Sequence, residues 1–423
     1  MKKIILAASA LLLTVTVMLL LQGCLKDSGK KTYTYYTPVI HTSAQVRASI
    51  KSGVAQATSS PGKIYVLGNT IFMAESGKGI HIIDNSNPSN PVNKWFINIP
   101  GNEDMAVSGN ILYADCYTDL LAIDISKPDN VTLKNYVTNV YPEKRYVNGY
   151  YVDSGKVVTD WIRHDTTVDA NIPGNYYPTY YDVAGAQYLT SAANSSSSKS
   201  TTTGVAGSMS KLAIVQNRLY STDQGVLSIF NISDAGSSSY LSRTTQVIYG
   251  NSETIYPFQD KLFIGTTTGM NIFSIDNPDQ PKLLGIFWHA TCCDPVITDG
   301  TNAFVTLRSN GTMCGGTKNE LDVVDVRNVM SPSLIKTYSM SSPKGLAKDG
   351  DILFVCDDML KMYDASNTSN LQLKKSFVIN TPYDVICLNK IAIVTAADGL
   401  YQFDYSNLSD VKLLSKLKLN SNP

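Results

Sequence analysis

Three copies of one short hydrophobic strand decide the fold: GIHIID at residues 79–84, DLLAID at 119–124 and ELDVVD at 320–325. Each copy ends in an aspartate that begins a turn. The segments 359–364 and 399–404 follow the same pattern, and 225–231 and 269–274 are looser versions of it. Asp84 and Asp124 lie 40 residues apart, as do Asp364 and Asp404. A fixed period of this size indicates one supersecondary unit that is repeated along the chain.

Residues 102–140 show how one unit is built. Hydrophobic strands are predicted at 105–107, 111–114, 120–125 and 131–138, and Gly109-Asn110 has the residue types of a tight turn. Four antiparallel strands in about 40 residues form one blade of a β-propeller. We count eight such units, the third of which is degenerate and lies around 146–160. The sequence therefore predicts an all-β protein, a β-propeller of seven or eight four-stranded blades.

The predicted propeller domain covers residues 59–423 and contains a low-complexity insertion at 165–207. The insertion carries the tyrosine pairs Tyr176-Tyr177 and Tyr180-Tyr181, which we interpret as a partner surface because the loop has no core of its own. Cys116, Cys356 and Cys387 fall in or near predicted strands, and we expect them to be buried free thiols.

The N-terminus has the pattern of a targeting segment. A positive start at Met1–Lys3 precedes an apolar run, Ile4–Leu21, and the run ends at Gly23-Cys24. We interpret residues 1–23 as a lipoprotein signal peptide, Cys24 as the lipidated residue, and residues 24–58 as a flexible tether with a short helix or strand near Gln45–Ile50. The alternative is an uncleaved membrane anchor, because the apolar run is just long enough to span a bilayer.

The composition limits the partners. The chain has 35 basic and 35 acidic residues, and a net charge near zero argues against nucleic acid as the main partner. We expect a cell-envelope protein held at the outer membrane by its lipid, with the periplasmic or surface side undecided. Its partners would be the membrane, through the lipid anchor, and an envelope protein or a glycan.

The repeats also have a family likeness. The stretches at 79–88 and 321–326 resemble the LVIVD repeat of bacterial cell-envelope proteins, and the likeness covers most of residues 59–423. The chain resembles the lipoprotein branch of that family, whose members are mostly of unassigned function. The resemblance therefore implies a propeller and an envelope location, and it implies no catalytic residue.

Charged residues are predicted to gather where the innermost strands of the propeller begin. Asp104, Glu253, Asp294 and Asp384 precede these strands, and His289 and Arg308 lie in adjoining loops. This candidate ligand face could hold Ca²⁺ or orient a basic or hydroxylated ligand at the channel mouth. The alternative, which we favour, is that these side chains solvate the mouth and satisfy backbone amides at strand ends. No other cofactor is predicted.

One stretch combines histidine with thiols. His289 precedes Cys292 and Cys293, and Cys314 lies in an enlarged loop of the same unit. A Cys293–Cys314 disulfide is the favoured interpretation, since an exported chain oxidises such thiols. A metal site formed by His289, Cys292, Cys293 and Cys314 is the alternative. For His289 itself we favour a loop hydrogen bond over a role as general base.

These observations favour a lipid-anchored binding or scaffolding module whose ligand is unknown. The alternative is a glycan-active hydrolase or lyase with its site at the channel mouth, and a rigid structural spacer is a third interpretation. The sequence contains none of the common nucleophile, zinc or phosphate motifs, so catalysis has no specific support. The fold itself does not choose between binding and catalysis.

Overall fold

A computed structural model describes residues 30–169, 204–234, 240–290, 295–309 and 318–418. The chain divides into two compact units. The first comprises Met1–Val39 with Asp160–Ala186, and the second comprises Ile40–Thr159 with Gln187–Pro423.

The described residues contain strands, one short α-helix and one 3₁₀ turn. The helix α1 spans Ser43–Ala48, and the 3₁₀ turn spans Pro142–Arg145. The strands are β1 (Lys30–Thr42), β2 (Lys51–Val54), β3 (Pro61–Leu67), β4 (Thr70–Glu75), β5 (Gly79–Asp84), β6 (Val92–Asn98), β7 (Met105–Ser108), β8 (Ile111–Cys116), β9 (Asp119–Asp124), β10 (Thr132–Val137), β11 (Tyr146–Val147), β12 (Tyr150–Tyr151), β13 (Lys156–Asp169), β14 (Val205–Ala206), β15 (Leu212–Val215), β16 (Arg218–Asn231), β17 (Arg243–Phe258), β18 (Lys261–Thr266), β19 (Gly269–Ser274), β20 (Lys282–Trp288), β21 (Val296–Thr298), β22 (Asn302–Arg308), β23 (Asn319–Asp325), β24 (Ser333–Ser339), β25 (Leu346–Asp349), β26 (Ile352–Cys356), β27 (Leu360–Asp364), β28 (Gln372–Phe377), β29 (Pro382–Leu388), β30 (Ile391–Ala396), β31 (Gly399–Asp404) and β32 (Lys412–Lys418).

In the first unit, the described residues lie in a two-stranded sheet in which β1 pairs with β13. Side chains fasten the two strands together. The Tyr35 ring stacks on the His164 ring at a centroid distance of 4.9 Å, and Thr37 Oγ1 lies 2.8 Å from His164 Nε2. The Thr34 hydroxyl donates to Asp165 Oδ1 at 2.5 Å. Such cross-strand pairs are the usual stabilising contacts of a narrow ribbon.

In the second unit, six sheets of at least four antiparallel strands surround a common centre. They comprise β2–β6 with β14, β7–β10, β15–β20, β21–β24, β25–β28 and β29–β32. Strands of these six sheets are neighbours around a circle: β3 lies beside β7, β7 beside β15, β17 beside β21, β21 beside β25, β25 beside β29, and β29 beside β3. Strands β15 and β17, which are also in contact, belong to the same sheet and close the circle. This arrangement is a β-propeller, so the predicted fold class is confirmed.

The predicted number of blades is wrong, because the described residues form six sheets of four or more strands and not seven or eight. Strand β17 runs without interruption and pairs with β16 through its first half and with β18 through its second half. Residues 211–249 and 254–288, which the sequence analysis counts as two of the eight repeats, are therefore one hydrogen-bonded sheet. The degenerate unit forms no blade, since β11 and β12 pair only with each other and β13 pairs with β1.

The recurring aspartate at the end of the third strand has a structural role. Asp84, Asp124, Asp364 and Asp404 each accept a hydrogen bond from the backbone N–H two residues later, at 2.8–3.0 Å. A short carboxylate that caps its own turn in this way stabilises the exit from the strand. The Ser366 hydroxyl and N–H hold the pKa of Asp364 down at about 2. The 40-residue spacing of these aspartates in the sequence is thus the spacing of the turns that follow the third strands.

The ring closes between its first and last sheets. Buried Ile64, Ile71 and Ile83 pack against Ile393 and Leu400 in one hydrophobic cluster. Alongside, the amide of Gln402 exchanges two hydrogen bonds with the amide of Asn85, at 3.0 and 2.7 Å. Because both amides are buried, each satisfies polar atoms that would otherwise be stranded away from water.

Residues 40–58, which the sequence assigns to the tether, contribute secondary structure to the second unit. Of the short helix or strand predicted near Gln45–Ile50, the structure contains a helix, α1, where Thr42 and Gln45 form a reciprocal capping box. Strand β2 pairs with β6 and so extends the outer edge of the first sheet. No helix among the described residues has the length and apolarity needed to cross a membrane.

Candidate functional site

The innermost strands begin, and the second strands of their hairpins end, on one face of the ring. Glu75, Asp115 and Asp357 lie within one residue of the ends of three of these second strands. Each carboxylate accepts two backbone N–H groups from the loop that enters the same sheet. Each carboxylate also binds a lysine, at 2.5–3.2 Å. A buried carboxylate that accepts several N–H donors fixes a loop firmly, so this face is built on rigid loops.

A crossing segment, residues 204–212, occupies the centre of this face. Its strand β14 pairs with β3, and the Gly207 N–H donates to Ile64 O at 2.9 Å. Further on, the Ser210 carbonyl accepts the N–H of Ile255 in β17 at 2.9 Å. Met209 between them is buried. The segment therefore contacts innermost strands from different parts of the ring.

Asp384 anchors the crossing segment to the last sheet. Asp384 Oδ1 accepts the Ser208 N–H at 2.9 Å, the Ser208 hydroxyl at 2.7 Å and the Val385 N–H at 2.9 Å. Ser208 Oγ in turn accepts the Leu346 N–H at 2.7 Å. Asp384 Oδ2 has no hydrogen-bond partner within the described ranges. Burial raises the pKa of Asp384 to about 7, and the three hydrogen bonds oppose that rise.

Asp104 anchors the crossing segment to the second sheet. Its Oδ1 accepts the Ser210 hydroxyl at 2.8 Å and the Met105 N–H at 2.7 Å, and its Oδ2 accepts the ammonium of Lys63 at 2.7 Å. The Lys63–Asp104 pair is almost completely buried. The oxygens of Asp104 are therefore engaged by donors of the protein itself.

Arg308 and Glu253 are two further residues of the predicted ligand face that the structure describes. Arg308 ends β22 and is buried, while Glu253 is half-buried in β17. Burial lowers the pKa of Arg308, and the negative charge of Glu253 opposes that effect. Lys344, which sequence reasoning did not single out, is buried in the neighbouring loop before β25. Burial and repulsion from Arg308 both lower the pKa of Lys344.

A second charged cluster lies beside the first. Asp115 accepts the Lys144 ammonium at 2.5 Å, and Glu103 accepts the Ser76 hydroxyl at 3.1 Å. Burial raises the pKa of Glu103 to about 7, although the positive charge of Lys144 opposes the rise. Within the described parts of the chain, no three His, Cys, Asp or Glu side chains lie close enough to hold a metal ion.

His289 forms a loop contact. Its Nδ1–H donates to the Ala290 carbonyl at 2.7 Å, and burial lowers the pKa of the imidazole. Asp294, Cys292, Cys293 and Cys314 lie outside the described residues, as does Cys24. Cys116, Cys356 and Cys387 are free thiols, as predicted, and burial raises the pKa of Cys116 and of Cys387 to about 12. Thiols with such high pKa values are poor nucleophiles.

Sequence reasoning identified Asp104 and Asp384 but missed Ser208 and Ser210, which contact them. The sequence signal was weak, because the two serines directly follow the low-complexity insertion predicted at 165–207. Gly207 is the residue type that this close packing requires, since a Cβ there would lie 1.9 Å from Asp384 Oδ2. The small residues Gly-Val-Ala-Gly-Ser at 204–208 are what a close passage through a ring requires.

Comparison with known proteins identifies the repeat. The family model described as LVIVD repeat matches residues 60–97, 102–139 and 315–340. No curated protein matches the chain.

Solved structures of similar shape share little sequence. BamB from Moraxella catarrhalis is 8% identical, with 87% of this chain and 96% of that chain covered at a TM-score of 0.49. PorZ from Porphyromonas gingivalis, a surface component of the type-IX secretion system, is 12% identical. The alignment covers 88% of this chain and 40% of PorZ, at a TM-score of 0.47. The computationally designed Ika8 protein is 9% identical, with 86% of this chain and 89% of that chain covered at a TM-score of 0.47. These similarities carry no functional argument. What the family matches and the ring of sheets together establish is that the chain is a β-propeller containing LVIVD repeats.

Proposed function

We propose that the chain is a lipid-anchored β-propeller of the cell envelope that acts as a binding or scaffolding module. The observation that carries this proposal is the crossing segment, which engages Asp104 through Ser210 and Asp384 through Ser208. Because both carboxylates are hydrogen-bonded to the crossing segment, the centre of the ring stabilises the fold. Ligands and partners would then meet loops and sheet edges around it.

The same observation weighs against a glycan hydrolase at the channel mouth. Glycoside hydrolysis generally uses two carboxyl groups that flank the substrate, one of them a proton donor. Asp104 and Asp384 are both buried beneath the crossing segment, and Asp384 is only 1% exposed. A sugar could reach them only if residues 204–212 were displaced.

The lipid anchor is testable through Cys24. We expect metabolic labelling with a fatty-acid analogue to mark the wild-type chain and to fail for Cys24→Ser, because the thiol is the site of acylation. Cys387→Ser is the matched control and should label normally, since its thiol is a free internal cysteine. Labelling of Cys24→Ser at the wild-type level would disprove the anchor.

The scaffolding role is testable by chemical crosslinking in intact cells, followed by purification of the tagged chain from detergent-solubilised envelope. We expect the same envelope proteins to be enriched in independent preparations. Removal of residues 170–203 should weaken that enrichment while the chain still folds, because the tyrosine pairs would be lost. Recovery of no partner above a tagged control propeller would contradict the proposal.

A further inference from the structure

Two buried cations lie side by side on the face where the innermost strands begin. Thr306 and Arg308 project from the same side of β22, because side chains alternate along a strand. The Thr306 hydroxyl donates to the backbone carbonyl of Lys344 at 2.8 Å, which brings Lys344 against that side of the strand. Arg308 is 7% exposed and Lys344 is 9% exposed.

Neither cation has a carboxylate within ion-pair distance among the described residues. The Lys344 ammonium has only a long contact of 3.4 Å with the Pro382 carbonyl, and it lies 5.1 Å from the centre of the Tyr383 ring. The nearby carboxylate of Asp357 is already taken by Lys361 at 2.6 Å and by two backbone N–H groups. Glu253 influences Arg308 only at longer range.

Such a pair is unfavourable without a counter-charge. Burying a charged group costs free energy unless it is paired, and two like charges repel each other in addition. Two other lysines on this face follow the rule, since buried Lys63 is paired with Asp104 and partly buried Lys144 with Asp115. Among the described residues, Arg308 and Lys344 are the buried arginine and lysine without a carboxylate partner, so a negative group is expected to neutralise them.

We propose that Arg308 and Lys344 bind an oxyanion, the carboxylate or phosphate group of a small ligand. A guanidinium offers a planar fork of donors that fits two oxygens of such a group, and an ammonium adds a point charge. Both side chains are long and retain a little exposure, so their charged ends can meet a ligand that enters from this face. The proposal rests on the binding function proposed above and specifies the ligand's chemistry.

The test is calorimetric titration of the full chain with inorganic phosphate and, separately, with glucuronate as a carboxylate probe. We expect the wild type to bind at least one of them, and its affinity to fall as sodium chloride is raised from about 20 to about 200 mM. In Arg308→Gln/Lys344→Gln the affinity should fall by at least about ten-fold, because both charge-assisted contacts are lost. Phosphate and glucuronate affinities together show which kind of ligand the site prefers.

The matched control is Arg327→Gln/Lys374→Gln, which removes one arginine and one lysine that are exposed on the same two sheets. Its affinity should stay within about two-fold of the wild type if binding depends on the buried pair. Arg308→Lys provides a second variant that keeps the charge but loses the fork, and it should bind several-fold more weakly than the wild type.

Two outcomes would overturn the proposal. One is that the wild type binds neither anion. The other is that Arg308→Gln/Lys344→Gln binds as well as the wild type, which would indicate an adventitious ion only. Partner recovery by crosslinking is measured independently, so failure here leaves the scaffolding proposal separately testable.

Discussion

Ser208 donates two hydrogen bonds to one oxygen of Asp384, from its N–H at 2.9 Å and from its hydroxyl at 2.7 Å, across a sequence separation of 176 residues. The other oxygen of the same carboxylate is buried and has no partner among the described residues. Asp384 thus holds a distant part of the chain in the ring while one half of its carboxylate is left without solvation. That asymmetry has consequences for stability.

Asp384→Asn should alter how stability depends on pH. Because the folded pKa of about 7 lies above the ordinary value of 3.8, the folded protein binds the proton more tightly than the unfolded chain does. This contribution is complete below pH 3.8 and is lost as the pH rises through about 7. The asparagine has no such proton, so the variant should be more stable than the wild type at pH 8, by up to about 4 kcal/mol.

Urea titrations between pH 5 and pH 8 would measure this difference. Asp410→Asn is the control, since that carboxylate is exposed and pairs with Lys412 at the surface. If wild type and Asp384→Asn lost stability in parallel across this pH range, the raised pKa of Asp384 would be refuted.

Gly207→Ala should destabilise the protein by about 2–4 kcal/mol, because the new methyl group has no room. Its Cβ would lie 1.9 Å from Asp384 Oδ2 and 3.2 Å from the Ile64 side chain. Asp384 cannot turn aside without breaking its bonds to Ser208 and Val385. Gly53→Ala is the matched control, as a Cβ there would meet nothing within 4 Å. Equal unfolding midpoints for the two variants would contradict the tight passage of residues 204–212.

Asp357→Ala should lower the free energy of unfolding by about 2–3 kcal/mol, because it leaves buried hydrogen-bond donors without an acceptor. Asp357 accepts the N–H groups of Ser341 and Ser342 and the ammonium of Lys361. Asp358→Ala is a neighbouring control that also removes a contact to Lys361, but its carboxylate is half-exposed and the expected loss is below about 1 kcal/mol. Denaturant midpoints would rank the two variants, and the reverse ranking would show that the loop is held by other contacts.

Gln402→Ala should weaken the closure of the ring by about 2–3 kcal/mol, since it leaves the buried Asn85 amide unsatisfied. Local opening between the first and last sheets should then appear as faster amide hydrogen exchange in β3 and β29. Gln372→Ala removes an exposed glutamine of an outer strand and should leave this exchange unchanged. Unaltered exchange in both variants would mean that apolar packing alone closes the ring.

The strands themselves were readable from the sequence. The segments predicted at 79–84, 119–124, 269–274 and 399–404 are strands with the same bounds in the structure. Alternating hydrophobic residues and a turn-capping end residue are local signals, so each unit carries them independently. The number of sheets was not readable, because whether β17 breaks at Gly250 depends on hydrogen bonds to two different partners.

The candidate site was readable only in part. Asp104 and Asp384 were found because each precedes a predicted innermost strand, and strand position is a local property. Lys344 and Ser208 were missed, because their importance comes from neighbours that lie 38 and 176 residues away in the sequence. A contact across a ring leaves no periodic trace in either partner.

By itself, the sequence determined the repeated strands, their turns and the propeller architecture, since these follow from short-range patterning that recurs along the chain. Only the tertiary structure decided that residues 204–212 pass through the centre, that Asp104 and Asp384 hold them there, and that Arg308 and Lys344 lie together without a carboxylate among the described residues. Those features depend on ring closure, which sets distant segments against one another and removes their charges from water.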